Sequence, residues 1–280
     1  MHPDLFSLGP LHVKTYGFCM ALGFLAAWQV LAWICKRTNR NPEPISNLVL
    51  LMMVSGVLGS RIAYVIEHWT SEFAGHLERI IRVDQGGLMF YGGLILAILV
   101  FFVWCFVKKE RIIGVADMMT LVIPLGHAFG RIGCFFYGCC YGRHSEAACS
   151  VVFPRGSPAW YEQVNHGLIP HSATAALPVL PTQIFEACAV FALFGVLFLL
   201  YRRFGQRLPG LVTGSYFVGY ACIRFGIEIL RGDPRAEVGP FSISQTISLG
   251  LLLAGGCCLV LASRGFWAQS SETSKNGSVA

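Results

Sequence analysis

Seven long apolar segments constrain this chain more than any other feature of its sequence. A helix that crosses a bilayer needs roughly 20 mostly apolar residues, and helices satisfy their own backbone hydrogen bonds in lipid. The 280 residues are 55% hydrophobic and 13% charged, whereas soluble domains average about 25% charged residues. We therefore predict an all-α, polytopic integral membrane protein with seven transmembrane helices, at residues 16–35, 45–66, 86–107, 112–137, 183–201, 210–230 and 243–262.

Basic residues mark every second connection between these segments. The positive-inside rule assigns such connections to the cytoplasm, which places the N-terminus outside (periplasmic) and the C-terminus inside. The first apolar run has no signal-peptide cleavage pattern, so we expect it to remain as a helix. The basic residues are Lys36, Arg37, Arg40, Lys108, Lys109, Arg111, Arg202, Arg203, Arg207 and Arg264.

The chain is predicted to consist of one membrane domain and a tail. Residues 1–268 form the seven-helix domain, and the longest external connection, at about 138–182, contains five prolines. A connection of this length is either a linker or, more often, a cap or substrate-facing surface. Residues 269–280 are polar and Ser-rich, which predicts a disordered cytoplasmic tail.

Four arginines lie towards the predicted external ends of apolar helices: Arg61, Arg131, Arg224 and Arg231. Each costs at least ~2.5 kcal/mol near the bilayer centre. Arg224 and Arg231 share a predicted helix face with Glu228, at i, i+4 and i+7. Ion pairs within the protein are one interpretation. Against a single intramembrane Glu, however, four arginines leave unbalanced positive charge, which favours an anionic ligand such as a lipid phosphate.

Glycines flank these charges, among them Gly92, Gly93, Gly126 and Gly130. Small residues let membrane helices pack closely. They also let the backbone approach a ligand within a protein-lined cavity. Both interpretations stay open at this point.

The chain has 11 cysteines, several of them inside apolar runs, where they are interpreted as small buried hydrophobes. A zinc site formed by Cys134, Cys139, Cys140 and Cys149 with His144 is disfavoured, because the spacing lacks CxxC and adjacent cysteines rarely chelate one ion together. Disulfides and free thiols remain open for these cysteines. The missing CxxC also argues against a quinone- or thiol-redox protein, so Cys139 and Cys140 are predicted to be structural.

Several motifs follow one another along the chain. They are YGF at residue 16, GSRIAYV around Arg61, DQGGLMFYGG from residue 84, PLGHAFGRIGCFFYGCCYG from residue 124, PTQIFEA from residue 181, GSYFVGYACIRFGIEILRGDP from residue 214 and SISQTISL from residue 242. In these motifs the chain resembles the prolipoprotein diacylglyceryl transferase family over nearly its whole length.

The resemblance implies a multi-pass enzyme of the bacterial inner membrane. Its substrates would be phosphatidylglycerol and the lipobox cysteine of a preprolipoprotein, with no nucleic acid as partner and no cofactor or metal. The products would be a thioether-linked diacylglyceryl protein and glycerol 1-phosphate. A transporter or channel for an anionic solute is the alternative. It predicts charges across the whole membrane depth, whereas the arginines are confined to the external half.

By motif position, the resemblance implies functional roles for Tyr16, Arg131, Arg224, Glu228 and Arg231. We expect Arg131 and Arg224 to bind the lipid phosphate and stabilise its growing charge. Arg231 and Glu228 are expected to orient substrate and gate access.

The other predicted site residues lie on the second and third apolar segments. Arg61 is expected to support the phosphate site, and Gly92 and Gly93 are predicted to bind phosphatidylglycerol. Tyr91 is predicted to be essential as general base or positioning donor. His127 is the alternative base. We expect it instead to be a buried histidine that is hydrogen-bonded to a helix carbonyl.

Three positions depart from part of the family. Some members have His at the position of Tyr91, Asn at that of Cys134 and Glu at that of Cys139.

Overall fold

The computed structural model of the chain describes residues 4–8, 11–82, 86–205, 207–233 and 237–267. The tail predicted to be disordered lies outside these residues, as do Asp84 and Gln85 of the glycine-rich motif. The predicted all-α class is confirmed. Sheet structure within the described residues is confined to two short antiparallel pairs, β1 (Asp4–Leu8) with β2 (Leu11–Lys14) and β3 (Glu237–Val238) with β4 (Phe241–Ser242).

All seven predicted segments form helices, with bounds within a few residues of those expected. Helix α3 differs most: it begins at Phe90 rather than Gly86, since Gly86 and Gly87 have positive φ angles of 88° and 75°, which end regular helix. The helices are α1 (Thr15–Arg37), α2 (Pro42–Glu67), α3 (Phe90–Lys108), α4 (Ile112–Tyr137), α5 (Pro158–Asn165), α6 (Thr182–Phe204), α7 (Leu211–Leu230) and α8 (Ile243–Ser263).

Among the described residues, six helices are long and apolar enough to cross a membrane: α1, α2, α3, α4, α6 and α8. The protein is thus a multi-pass membrane protein. Helix α7 is long enough but contains Arg224 and Glu228, which lower its hydropathy. The count of seven spanning helices therefore stays a prediction.

The chain divides into two compact units. Unit 1 comprises Met1–Ala27 and Ala116–Ala280, and unit 2 comprises Trp28–Val115. In unit 2, α2 and α3 pack closely at glycines: a Cβ on Gly59 would lie 2.5 Å from the Gly92 carbonyl oxygen. Backbone contact of this kind is the helix-packing role that small residues have in membranes.

In unit 1, the start of α7 is fixed by a buried carboxylate of α4. Asp117 is 1% exposed, and its oxygens accept hydrogen bonds from the backbone N–H groups of Gly210 (2.7 Å) and Thr213 (2.8 Å). These are N–H groups at a helix N-terminus, which lack partners within the helix. The bonds hold α7 against α4 and so help position the charged end of α7.

The segment at 138–181 has a small core of its own. Phe153, Trp160 and Val179 are at most 4% exposed, and backbone hydrogen bonds join Val151 to Val179 in both directions (2.9 and 3.0 Å). Burial raises the pKa of the Tyr141 phenol in this core to about 12. This connection is thus an ordered segment, called the cap segment below, and its role as a cap or substrate-facing surface stays a prediction.

Candidate active site

Glu186, near the start of α6, lies at the centre of a buried charged network. It is fully buried. One carboxylate oxygen, Oε2, lies 3.0 Å from Nε of Arg131 on α4 and 3.7 Å from Nη1 of Arg224 on α7. The other, Oε1, lies 3.3 Å from Nε2 of His127. One carboxylate therefore joins three helices of unit 1 at the ends where these residues lie.

Arg224 and Glu228 form the second part of the network. They are one helical turn apart, and Arg224 Nη2 lies 2.6 Å from Glu228 Oε2, which confirms that they share a face of α7. The same Nη2 donates to Ser244 Oγ at 2.9 Å, and Ser242 Oγ donates to Glu228 Oε1 at 2.8 Å. Ser242 is also the N-cap of α8, in a capping box with Gln245. The first turn of α8 is thereby held against the charged face of α7.

Arg231 directly follows the last residue of α7, so the predicted i+7 relation stays a prediction for it. Helix α7 ends at Leu230, and Arg231 is the C-cap residue in extended conformation (φ −73°, ψ 144°). Its guanidinium makes a bidentate ion pair with Asp233, with Nε donating at 2.8 Å and Nη2 at 2.7 Å. The backbone of Arg231 forms an antiparallel β-bridge with Gly142 of the cap segment, residues 138–181. Arg231 therefore links the end of α7 to that segment.

The expected excess of positive charge is wrong for these three arginines. Arg131 is paired with Glu186, Arg224 with Glu228 and Arg231 with Asp233. Glu228 alone was expected among the intramembrane carboxylates. Glu186 was the missed residue, although a Glu four residues into an apolar helix, in the motif PTQIFEA, was a visible signal.

The network is nevertheless incompletely hydrogen-bonded. Nε of Arg131 donates to Nε2 of His127 at 3.1 Å, so its hydrogen points at the imidazole rather than at Glu186. Buried polar atoms without a hydrogen-bond partner in the described residues include both oxygens of Glu186, Nη1 of Arg224 and Oε1 of Gln183. Buried polar groups are nearly always satisfied in native proteins. Of these four atoms, three are acceptors, which need donors, and one is a donor, Nη1 of Arg224.

His127 lies within this network rather than against a helix carbonyl. Its Nε2 contacts Arg131 and Glu186, and its ring meets the Tyr220 ring edge-on at a centroid distance of 5.5 Å. Nε2 can accept from Arg131 or, when it carries the proton, donate to Glu186, so its partner depends on the tautomer. His127 thus lies between Arg131 and Glu186.

Tyr16 lies at the start of α1, close to α4. A Cβ added to Gly133 would lie 2.9 Å from Cδ2 of the Tyr16 ring, so Gly133 provides the space in which this ring lies. The ring is 43% exposed. Unit 1 therefore contains five of the predicted site residues: Tyr16, Arg131, Arg224, Glu228 and Arg231.

Three thiols lie beside the arginines. Cys134 is in the last turn of α4, and Cys139 and Cys140 follow the helix. Their sulfur atoms lie within 4.8 Å of one another. Cys149 and His144, which the sequence analysis grouped with them, do not belong to this cluster. All eleven cysteines are free thiols in the structure.

The other predicted site residues are in unit 2. Arg61 donates to five backbone carbonyls, at 2.6 to 3.0 Å, and so fixes the fold of the segment that precedes α3. These carbonyls belong to Arg79, Ile80, Arg82, Gly86 and Gly87. The guanidinium is occupied by backbone, and a supporting role of Arg61 at the phosphate site stays a prediction.

Tyr91, Gly92 and Gly93 form the first turn of α3. Tyr91 is 49% exposed, and its ring meets Phe90 edge-on at 5.7 Å. A Cβ on Gly92 would meet Ala63 and the Gly59 carbonyl, and one on Gly93 would meet Ser60. These glycines therefore serve close packing of α3 on α2. Their role in substrate binding, like that of Tyr91, stays a prediction.

Comparison with known proteins agrees with the motifs. The sequence model of the prolipoprotein diacylglyceryl transferase family matches residues 3–261. The phosphatidylglycerol–prolipoprotein diacylglyceryl transferase 2 of Clostridium perfringens is 33% identical, over 88% of this chain and 89% of its own length. The phosphatidylglycerol–prolipoprotein diacylglyceryl transferases of Pseudoalteromonas translucida and Sinorhizobium medicae are each 32% identical. They match 98% and 95% of this chain, and 95% and 90% of their own lengths.

These matches do not support the alternative of an anion transporter. The network of Arg131, Glu186, Arg224 and Glu228 lies on three of the motifs that carry the resemblance. By sequence over nearly its whole length, this chain belongs to the prolipoprotein diacylglyceryl transferase family.

Proposed function

We propose that the protein transfers the diacylglyceryl group of phosphatidylglycerol to the lipobox cysteine thiol of a preprolipoprotein. The observation that carries this proposal is the buried pair of guanidinium groups, Arg131 and Arg224, that converge on Glu186 at one end of a set of apolar helices. A phosphodiester headgroup attached to two acyl chains matches both properties. Its phosphate is a bidentate acceptor for guanidinium, and its tails remain in the bilayer.

The reaction forms a carbon–sulfur bond and breaks a carbon–oxygen bond. The cysteine thiolate attacks the glycerol carbon that carries the phosphate. The electron pair of the broken bond stays on the phosphate oxygen, and glycerol 1-phosphate leaves. The thiol must lose its proton first, because the thiolate is the nucleophile. We assign this step to Tyr91, which acts either as the base that takes the thiol proton or as the hydrogen-bond donor that positions the headgroup while another group takes the proton.

Negative charge grows on the leaving phosphate as the carbon–oxygen bond breaks. Donors fixed in a site of low dielectric constant stabilise such charge without reorganising. Arg131 and Arg224 take this role in our proposal, with the phosphate replacing part of their contact with Glu186. Glu228 and Arg231 hold α7, α8 and the cap segment in place around the headgroup. Arg61 holds the segment before α3 in place.

The proposed location is the bacterial inner membrane, with the N-terminus and the network on the periplasmic side and the C-terminus in the cytoplasm. This orientation rests on the basic connections after α1, α3, α6 and α8 and on the positive-inside rule. It places the network where a translocated signal peptide with its lipobox would arrive.

Purified protein in lipid nanodiscs provides the direct test. We expect a lipobox peptide to gain the mass of a diacylglyceryl group when the discs contain phosphatidylglycerol, with release of one glycerol phosphate per modified peptide. Discs of phosphatidylcholine alone and a peptide with Ser in place of the lipobox Cys are the controls. Protein that remains folded yet modifies no peptide in phosphatidylglycerol discs would contradict the proposal.

A further inference from the structure

The thiols of Cys134, Cys139 and Cys140 are brought together by an unusual turn. Helix α4 ends at Tyr137, and the N–H groups of Gly138 and Cys139 both bond to the Cys134 carbonyl, at 2.9 and 3.2 Å. Gly138 and Cys140 have positive φ angles, 84° and 62°. The chain thus reverses directly after the helix and returns to Cys134.

The left-handed conformation of Cys140 removes the main objection to a shared site. In extended chain, adjacent side chains point to opposite sides, so neighbouring cysteines do not normally meet one ligand. In this turn the Cys139 and Cys140 sulfurs lie within 4.8 Å of each other and of Cys134. A non-glycine residue in this conformation costs roughly 1–2 kcal/mol, so other contacts must hold it.

Contacts from α6 hold the turn in place. Gln183 Nε2 donates to the Cys139 carbonyl at 2.6 Å, and Thr182 Oγ1 donates to the Cys140 carbonyl at 2.9 Å. Both donors are at most 1% exposed. The backbone of the two cysteines is therefore fixed by buried side chains, and their sulfurs are held facing Cys134.

The guanidinium groups of Arg131 and Arg231 lie near the three sulfurs, and each is already paired with a carboxylate, Glu186 and Asp233 respectively. Three thiolates would repel one another strongly, and a bound metal cation would offset that repulsion.

We propose that Cys134, Cys139 and Cys140 form a binding site for a thiophilic metal ion such as Zn²⁺. At a Zn–S distance of about 2.3 Å, tetrahedral ligand sulfurs lie about 3.8 Å apart, so the sulfurs need to approach by about 1 Å at most. Three protein ligands leave the fourth position open to water or an incoming ligand. The proposal concerns metal binding and stands whether or not the protein transfers a diacylglyceryl group.

Alkylation of the purified, reduced full-length protein tests the site without a substitution. Zn²⁺ should protect Cys134, Cys139 and Cys140 from a thiol reagent by at least tenfold in rate, whereas the exposed Cys149 should react equally with and without Zn²⁺. Mass spectrometry of the peptides reads out each cysteine. Equal protection of Cys149, or no protection of the three, would overturn the proposal.

Metal analysis of variants provides the second test. After equilibration with Zn²⁺ and removal of excess, we expect about one bound ion per chain, and Cys134→Ser or Cys140→Ser should lose it. Cys149→Ser, in the same segment, should retain it. Zinc retained by both site variants would refute the site. So would a disulfide between two of the three cysteines in untreated protein, since the cluster would then be a redox pair.

Discussion

At the residue scale, the arginines of the network are the sharpest test of the proposed phosphate site. Arg131→Ala or Arg224→Ala should each reduce transfer by at least about 100-fold, since one lost donor to developing charge has such an effect. Arg231→Ala should also reduce it strongly, because the end of α7 loses its link to Asp233. Lysine at these positions should restore little, because a point ammonium cannot make two parallel bonds to phosphate or, at Arg231, to Asp233. Turnover in nanodiscs measures the effect.

Arg203→Ala is the matched control for the arginine variants. Arg203 lies at the exposed cytoplasmic end predicted for α6, so its loss should leave turnover within about twofold, as for surface substitutions away from such features. Near-normal turnover in all three network variants would eliminate the phosphate-site assignment.

Glu186 gives a prediction about stability that follows from its central position. Glu186→Gln leaves Arg131 with no carboxylate partner in the described network, and breaking a buried ion pair typically costs about 3–5 kcal/mol. Glu162→Gln, in the half-exposed Glu162–His166 pair of α5, should cost at most about 1 kcal/mol. Thermal unfolding of the two variants and the parent in the same detergent measures both losses of stability. Equal costs would mean that Glu186 is not a structural centre.

The proton acceptor is a choice between Tyr91 and His127. Tyr91→Phe should reduce turnover by at least about 100-fold, the lower end for a lost acid–base group. His127→Leu should stay within a few-fold of the parent, because Arg131 keeps its 3.0 Å contact with Glu186. The opposite ranking in one assay would transfer the base role to His127.

At the element scale, the contact of α2 with α3 depends on glycine. Gly92→Ala would place a methyl group against Ala63 and the Gly59 carbonyl, and overpacking of this kind costs about 1–3 kcal/mol. Gly56→Ala, on the same helix pair, meets nothing within 4 Å. It should be neutral or stabilising, since Ala is the better helix former. Unfolding of both variants separates the cost of overpacking at Gly92 from the gain in helix propensity that both share.

The sequence predicted the elements better than it predicted the contacts between them. Apolar length, with the topology closed by the fourth and sixth segments, located all seven long helices, and their ends deviated most where Gly86 and Gly87 take positive φ. The role of Arg61 was not predictable in this way. Its partners are five main-chain carbonyls 18 to 26 residues away, and backbone acceptors leave no signal in sequence.

At the scale of the whole molecule, topology is the main prediction. Reporter fusions after Arg40, Lys109 and Arg207 should report cytoplasm, and fusions near Ala74 and Asn165 should report periplasm. The expectation rests on the distribution of Lys and Arg among the connections. A cytoplasmic signal at Asn165, within α5 of the cap segment, would contradict the seven-helix arrangement and the proposed side of the active site.

The sequence alone determined that this is a membrane protein, where along the chain its helices lie, and to which family it belongs. These conclusions depend on local features and their order along the chain: apolar length, loop charge and motifs. The tertiary structure alone decided which charges neutralise one another. Glu186 meets Arg131 and Arg224 across three helices, and Cys140 meets Cys134 through a left-handed turn. Such contacts depend on how helices pack and where chains reverse, which local composition does not specify.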